Sequence, residues 1–314
     1  MKGWFSALRW EHIAQLGRCS CKAHRFTNRE RLADFNFVLT KSRDRHGVSA
    51  LLRVRNEQEK IRYCLESIHD VFDEIVFVDN GSVDRTLSIV RGIKESRDRD
   101  NKIRMYHYPF KLSRCGPEHL NTPEDSVSSL AYFNNWALSH CSYKYVCRWD
   151  GDMMLMKKER DPFFQFLRAI DMNCSQCWRL PGQTLYRDSK KNVYLSRREI
   201  NKQIMIFPYG FHQQFVKAQH WERLRCRPRL PVYDYHTTCF WELKFTEEEE
   251  FAHWSTQEWP TERKRLEWDN FLAIQSGDID SDRFQPLPPA FLDEEVADCP
   301  YHQGRESYGS SGHL

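Results

Sequence analysis

Apolar and polar positions keep two alternating rhythms over residues 48–158. The strand-length apolar run "VSALLRVRN" is followed by "EQEKIRYCLESIHD", where Ile61, Cys64, Leu65 and Ile68 recur at the spacing of one helical face. "EIVFVDN" predicts a second strand, and "DRTLSIVRGIKES" a second helix with Leu87, Val90 and Ile93 turned inward. A third strand is expected at "KIRMYHYP", a long helix over 123–141, and at "YKYVCRWDGDM" a fourth strand that breaks into an acidic turn. Strands alternating with helices imply an α/β fold with a mostly parallel sheet. In such sheets ligands bind beyond the carboxyl ends of the strands.

Beyond Asp161 the pattern loosens. "PFFQFLRAI" reads as a helix, "QTLYRD" and "NVYLSR" as a hairpin, "QIMIFPYGF" as a further strand and "TERKRLEWDNFLAIQSG" as a helix. The expected organisation is a basic extension over 1–46, a regular half over 47–158, a less regular half of the same domain over 159–290, and a tail over 291–314. Trp4, Phe5, Leu8, Ile13 and Leu16 fall on one helical face of the extension, which either packs on the domain or rests on an anionic membrane surface.

Composition narrows the classes. In 314 residues, 40% hydrophobic and 14% aromatic, there is enough apolar material for a large core. No apolar run approaches the roughly 20 residues that cross a bilayer. With no targeting segment recognisable, the expected location is cytoplasmic. The net charge of +3 hides an asymmetry: residues 1–46 carry +6, so the rest is −3, which argues against a nucleic-acid surface. The eleven cysteines are odd in number, and Cys64, Cys141 and Cys147 sit in apolar patterns, so reduced thiols are expected. "CSQC" at 174–177 and "CSCKAH" at 19–24 have ligand spacing, but each lacks a second pair.

Three polar clusters fall at strand ends. Arg55, Asn56 and Glu57 follow the first strand, where Asn56 can cap the next helix. In "VDNGSVDRT", Gly81 permits a turn and Ser82 or Asp84 caps the second helix. Asp79 is left without a turn role and suits a base N–H or a ribose hydroxyl. In "RWDGDMM", Asp150 and Asp152 share a strand end, and Gly151 lets the chain turn so that both reach one space. Hard oxygen donors at that spacing suit Mn²⁺ or Mg²⁺.

Taken in order, "RVRNEQEKIRYCLESI", "EIVFVDNGSVDRT" and "RWDGDMM" resemble the nucleotide-sugar-binding half of family 2 glycosyltransferases. The resemblance covers residues 48 to about 158. It implies the GT-A fold, a Rossmann-like α/β/α sandwich with a mostly parallel central sheet and a less regular C-terminal acceptor region. It also implies that Arg55, Asn56 and Glu57 line the nucleotide pocket, that Asp79 contacts uracil or ribose, and that the acidic triplet is the family's Asp-x-Asp motif. In that motif Asp150 lies near ribose and sugar, and Asp152 holds the metal on the diphosphate.

The family mechanism is inversion: an acceptor hydroxyl attacks while a carboxylate takes its proton. The family's Glu-Asp base motif is absent from the second half, since Glu124-Asp125 precedes the acidic triplet. In "RLPVYDYHTTCFWELKF" an extended 232–238 would put Asp234 and His236 on one face. That makes Asp234 the leading base, ahead of Glu222 and Glu242, and His236 a candidate third metal ligand. The Gln-x-x-Arg-Trp motif of processive members is missing. The reading is an inverting, metal-dependent transfer of one hexose from a nucleotide sugar, UDP-linked by expectation, to a glycan or glycolipid. The alternative is a catalytically silent GT-A module that binds nucleotide or glycan. A nucleotidyltransferase is disfavoured, because no Gly-rich phosphate loop follows the first strand.

Overall fold

The computed structural model describes residues 22–245 and 261–297. A hairpin of β1 (Ala23–Phe26) and β2 (Phe37–Thr40) leads into β3 (Arg45–Val54), α1 (Ile61–Ile68), β4 (Glu74–Asp79), α2 (Thr86–Arg97) and β5 (Ile103–His107). Two helices, α3 (Pro117–Asn121) and α4 (Leu130–Ser139), precede β6 (Tyr143–Asp150), which passes through the acidic triplet into β7 (Met153–Leu155). Then come α5 (Arg160–Ala169), the long strands β8 (Cys177–Arg187) and β9 (Val193–Pro208), and a small hairpin of β10 (Gln214–Lys217) and β11 (Glu222–Arg225). The short β12 (Val232–Asp234) and β13 (Phe240–Phe245) follow. After them come α6 (Glu262–Ser276), β14 (Phe284–Pro286) and α7 (Phe291–Ala297).

The main sheet runs β5-β4-β3-β6-β9-β8-β13-β7, with β12 beside β8 and β14 beside β9. Strands β5, β4, β3 and β6 are mutually parallel, so their carboxyl ends open on one edge. Both faces are covered, and the period-2 alternation shows how. Ala50, Leu52, Val54, Ile75 and Phe77 face a core shared with α1, α2 and α5. Leu51, Val76 and Val78 face the opposite core, built with α4 and both small hairpins. The expected doubly covered α/β sheet is the one observed.

Most predicted elements fall where their periodicity places them, including the buried set Ile61, Cys64, Leu65 and Ile68 on α1. The α6 helix starts at Thr261, whose side chain accepts from the Lys264 N–H, and ends at Gly277 in the left-handed region. The long helix expected over 123–141 is shorter. The Glu30 carboxylate accepts from Ser126 Oγ at 2.6 Å and Val127 N at 3.1 Å, and Ser129 caps a helix that begins only at Leu130. "QIMIFPYGF" contributes no separate strand through 203–208 but continues β9, the second arm of the expected hairpin.

The stretches expected as extension and tail are folded where they are described. Phe37 and Leu39 of β2 are buried in the core under α4, and Leu292 and Val296 of α7 pack with Leu243 and Phe245 of β13. The helical face of Trp4, Phe5, Leu8, Ile13 and Leu16 lies outside the described residues, as do Cys19, Cys21, Trp254 and Trp259. Among the described residues no helix is long and apolar enough to cross a membrane.

Candidate active site

The loops after β3 and β4 are stitched together by their own polar groups. Asn56 takes a left-handed φ of 56°. Its backbone N–H donates to Ser82 Oγ at 3.0 Å, and its Oδ1 accepts from Val83 N at 2.9 Å. Asn56 therefore does not cap α1, whose first turn has no side-chain cap. Glu57 N donates to Thr86 Oγ1 at 2.7 Å, and Asp84 accepts from both Gln58 N and Thr86 N. Glu57 also pairs with the buried Lys60 at 2.7 Å, while Arg55 is exposed.

Asp79 is fully buried, and the turn accounts for it after all. Its carboxylate accepts from Gly81 N at 3.0 Å and Ser82 N at 3.2 Å, and His107 Nδ1 lies 3.1 Å from Oδ2. Gly81 supplies the positive φ of 67° that brings those two N–H groups back onto the strand end. The expectation that Asp79 has no turn role is thus corrected. It organises the loop at the carboxyl end of β4.

The acidic triplet sits one strand over. Asp150 pairs with Arg53 Nη2 at 2.5 Å, and Arg53 also donates to Asn134 and lies 3.8 Å from Glu222 Oε1. Burial alone would push the Asp150 carboxyl up, but Arg53 and Arg148 outweigh it and hold the group below its ordinary value. Asp152 pairs with Lys244 Nζ at 2.9 Å, and Lys244 in turn lies 3.2 Å from Glu242 Oε1. Here burial prevails over Lys244, and with Glu242 nearby the Asp152 carboxyl is raised. Gly151 serves through close approach rather than through φ, since a Cβ there would stand 3.0 Å from Val54 Cγ2.

The structure divides the expected site residues. Through Arg53, Glu222 comes beside Asp150; through Lys244, Glu242 comes beside Asp152, where it also accepts from Asn201 Nδ2 at 2.9 Å. Asp234 belongs to another group. It is exposed and clamped by Lys202 Nζ and Arg179 Nε, each at 2.7 Å, and those bonds hold its carboxyl below its ordinary value. A carboxylate so stabilised is a weak proton acceptor. The extended segment ends at Asp234, and His236 lies exposed on the loop before β13, with its ring against Tyr235.

Among the described residues no three His, Cys, Asp or Glu side chains form a ready cation cage. Asp150 and Asp152 sit on one turn, paired with Arg53 and Lys244 respectively, and His236 is exposed on a separate loop. Trp241 and Trp268 are packing residues. The first donates its indole N–H to Glu295 and the second stacks on Phe271.

Arg53, Arg148 and Lys244 are the charged partners of the acidic triplet that motif reading passes over. Their signal is present in retrospect: a charged residue inside an apolar strand run, as in "ALLRV" and "FWELKF", needs a buried partner.

Residues 49–114, which contain both stitched loops, match the family described as Glycosyl transferase family 2. No curated protein matches the chain. Among solved structures the chain is similar to TarS residues 1–349 of S. aureus, with 14% identity over 84% of this chain and 72% of that one, at a TM-score of 0.36. A mycobacterial protein is 17% identical over 46% of this chain and 42% of its own, at 0.29. Glucosyl-3-phosphoglycerate synthase from Mycobacterium tuberculosis, in complex with Mn²⁺, UDP and glucosyl-3-phosphoglycerate, is 17% identical over 45% and 44%, at 0.28. The chain spans less than half the length of these last two. Over residues 49–114, which carry both stitched loops, the chain is similar to the family described as Glycosyl transferase family 2.

Proposed function

We propose that this protein is a glycosyltransferase that moves one hexose from a nucleotide sugar, UDP-linked, to a hydroxyl of a glycan or glycolipid, with inversion at the anomeric carbon. The observation that carries the reading is Arg53, which ties Asp150 at the carboxyl end of β6 to Glu222 on the facing hairpin. Through that one guanidinium, two carboxylates from different elements stand near each other, and this supports reading Asp150 as the donor-side group and Glu222 as the acceptor-side group.

In this reading Arg55, Asn56, Glu57 and Asp79 border the nucleoside, and Asp150 and Asp152 face the sugar and diphosphate. Mn²⁺ or Mg²⁺ held by Asp150 and Asp152 would supply positive charge to the departing diphosphate. Glu222 takes the proton of the acceptor hydroxyl, in place of Asp234, whose two cation partners disqualify it. Lys244 and Lys60 keep the acidic floor from repelling the diphosphate before it binds.

The test is turnover across a panel of nucleotide sugars with Mn²⁺, read beside thermal shift. The expected result is donor hydrolysis and stabilisation by a UDP-sugar, with Asp152→Asn reducing turnover by about 10³ while Tm holds. Absence of both turnover and shift with every donor would overturn the reading. Binding without turnover would convert it to the silent module.

A further inference from the structure

Cys177 and Cys226 are far apart in the chain, yet their sulfurs lie 3.5 Å apart. Cys177 is the buried first residue of β8, and Cys226 directly follows β11, half-buried against the same core. The spacing motif "CSQC" suggests Cys174 as the partner of Cys177, but the fold points Cys174 away. That thiol is exposed and donates to Asp171 Oδ2 at 3.0 Å.

The surroundings suit thiol–disulfide exchange. Cys226 lies in "RLRCRPRL", flanked by Arg223, Arg225, Arg227 and Arg229. The bond to Cys177 lowers the Cys226 thiol from its ordinary value, against the opposing effect of burial.

We propose that Cys177 and Cys226 are an oxidisable pair that closes to an intramolecular disulfide on reaction with a low-molecular-weight disulfide of the glutathione type. The Cys226 thiolate attacks one sulfur of the oxidant, forming a mixed disulfide and releasing one thiolate. Cys177, the resolving thiol, then attacks the Cys226 sulfur and expels the second. Two cysteine thiols are oxidised to one disulfide while the oxidant is reduced to two thiols. The bond ties β11, the strand that begins at Glu222, to the start of β8 in the main sheet, so the facing wall of the crevice is fixed to the sheet.

The full chain, reduced and then equilibrated with oxidised glutathione, is tested by intact mass and peptide mapping after alkylation. The wild type is expected to become two hydrogen masses lighter, to yield a peptide linking Cys177 to Cys226, and to gain several degrees of Tm. Cys177→Ser is expected to keep one glutathione on Cys226, because the resolving thiol is gone. Cys226→Ser should show neither the link nor the Tm gain. Alkylation of both wild-type thiols at equilibrium, or a Cys174–Cys177 link in place of Cys177–Cys226, would overturn the proposal.

Discussion

The two walls of the crevice are held in different ways. On the first wall, Asn56, Ser82, Asp84 and Asp79 are occupied with the N–H groups of their own two loops. That wall is fixed before any ligand arrives. On the second wall, Glu222, Glu242 and Lys244 reach the site from a hairpin and a strand that approach through β9 and β8. Their side chains pair with Arg53 and Asp152, while backbone bonds carry the elements themselves: β13 ladders onto β7, Leu243 N donates to Asp152 O at 2.7 Å, and Asn135 bonds the Phe215 backbone of the hairpin. The difference teaches that substitutions on the first wall should register as stability, and on the second as chemistry. Arg53 stands where the two meet.

Arg53→Met gives the largest expected effect on both readouts. It leaves Asp150 and Glu222 without their common cation, and because the Asp150 side chain is 37% exposed, solvent screening brings the loss below the about 3–5 kcal/mol of a fully buried pair, to about 1–3 kcal/mol. Chemical denaturation is expected to show that loss together with a fall in donor affinity. Full stability with normal affinity would mean the walls are not coupled through this residue.

Asp79→Ala sharpens the contrast on the first wall. It strands the Gly81 and Ser82 N–H groups and removes the partner of His107, a loss of about 1–3 kcal/mol expected mainly in Tm. A donor-affinity loss with unchanged Tm would assign Asp79 to ligand contact rather than to the turn.

A pH-dependent effect lies behind the second wall. Glu199 is buried beneath α6, accepts from Tyr186 Oη at 2.9 Å and from Asn270 Nδ2 at 2.9 Å, and is pushed up to about 7 by burial and then by Glu267. A carboxyl raised on folding keeps its proton in the native state while the unfolded chain has lost it. Stability should therefore fall as pH rises from about 4.5 to 7 and level off above, by up to about 3 kcal/mol. Glu199→Gln is expected to flatten that slope in pH-dependent denaturation. An unchanged slope would place the titration elsewhere.

Legibility in the sequence follows the same division. The parallel strands were readable because both faces are buried and each helix between them repeats its apolar positions every three or four residues. The acidic triplet was readable because its two carboxylates are neighbours in the chain. Asp79 was located correctly but misjudged, because the Asp side chain and the Gly81–Ser82 backbone interact within three residues and that local bond competes with any ligand role. The setting of Asp234 was out of reach for the opposite reason. Its partners Arg179 and Lys202 come from two other strands, and only strand register reveals them. The helix over 123–141 failed at a long-range bond too, since Glu30 takes the N–H that its first turn would have used.

The central claim is that the acceptor base belongs to the Arg53-linked cluster. Its most direct measurement is kcat and donor Kd for Glu222→Gln beside Asp234→Asn, on the donor that turns over. Glu222→Gln is predicted to lower kcat by about 10²–10⁴ with donor Kd within about threefold of wild type, and Asp234→Asn to leave kcat within about threefold. A large kcat loss in Asp234→Asn, with Glu222→Gln near wild type, would contradict the account.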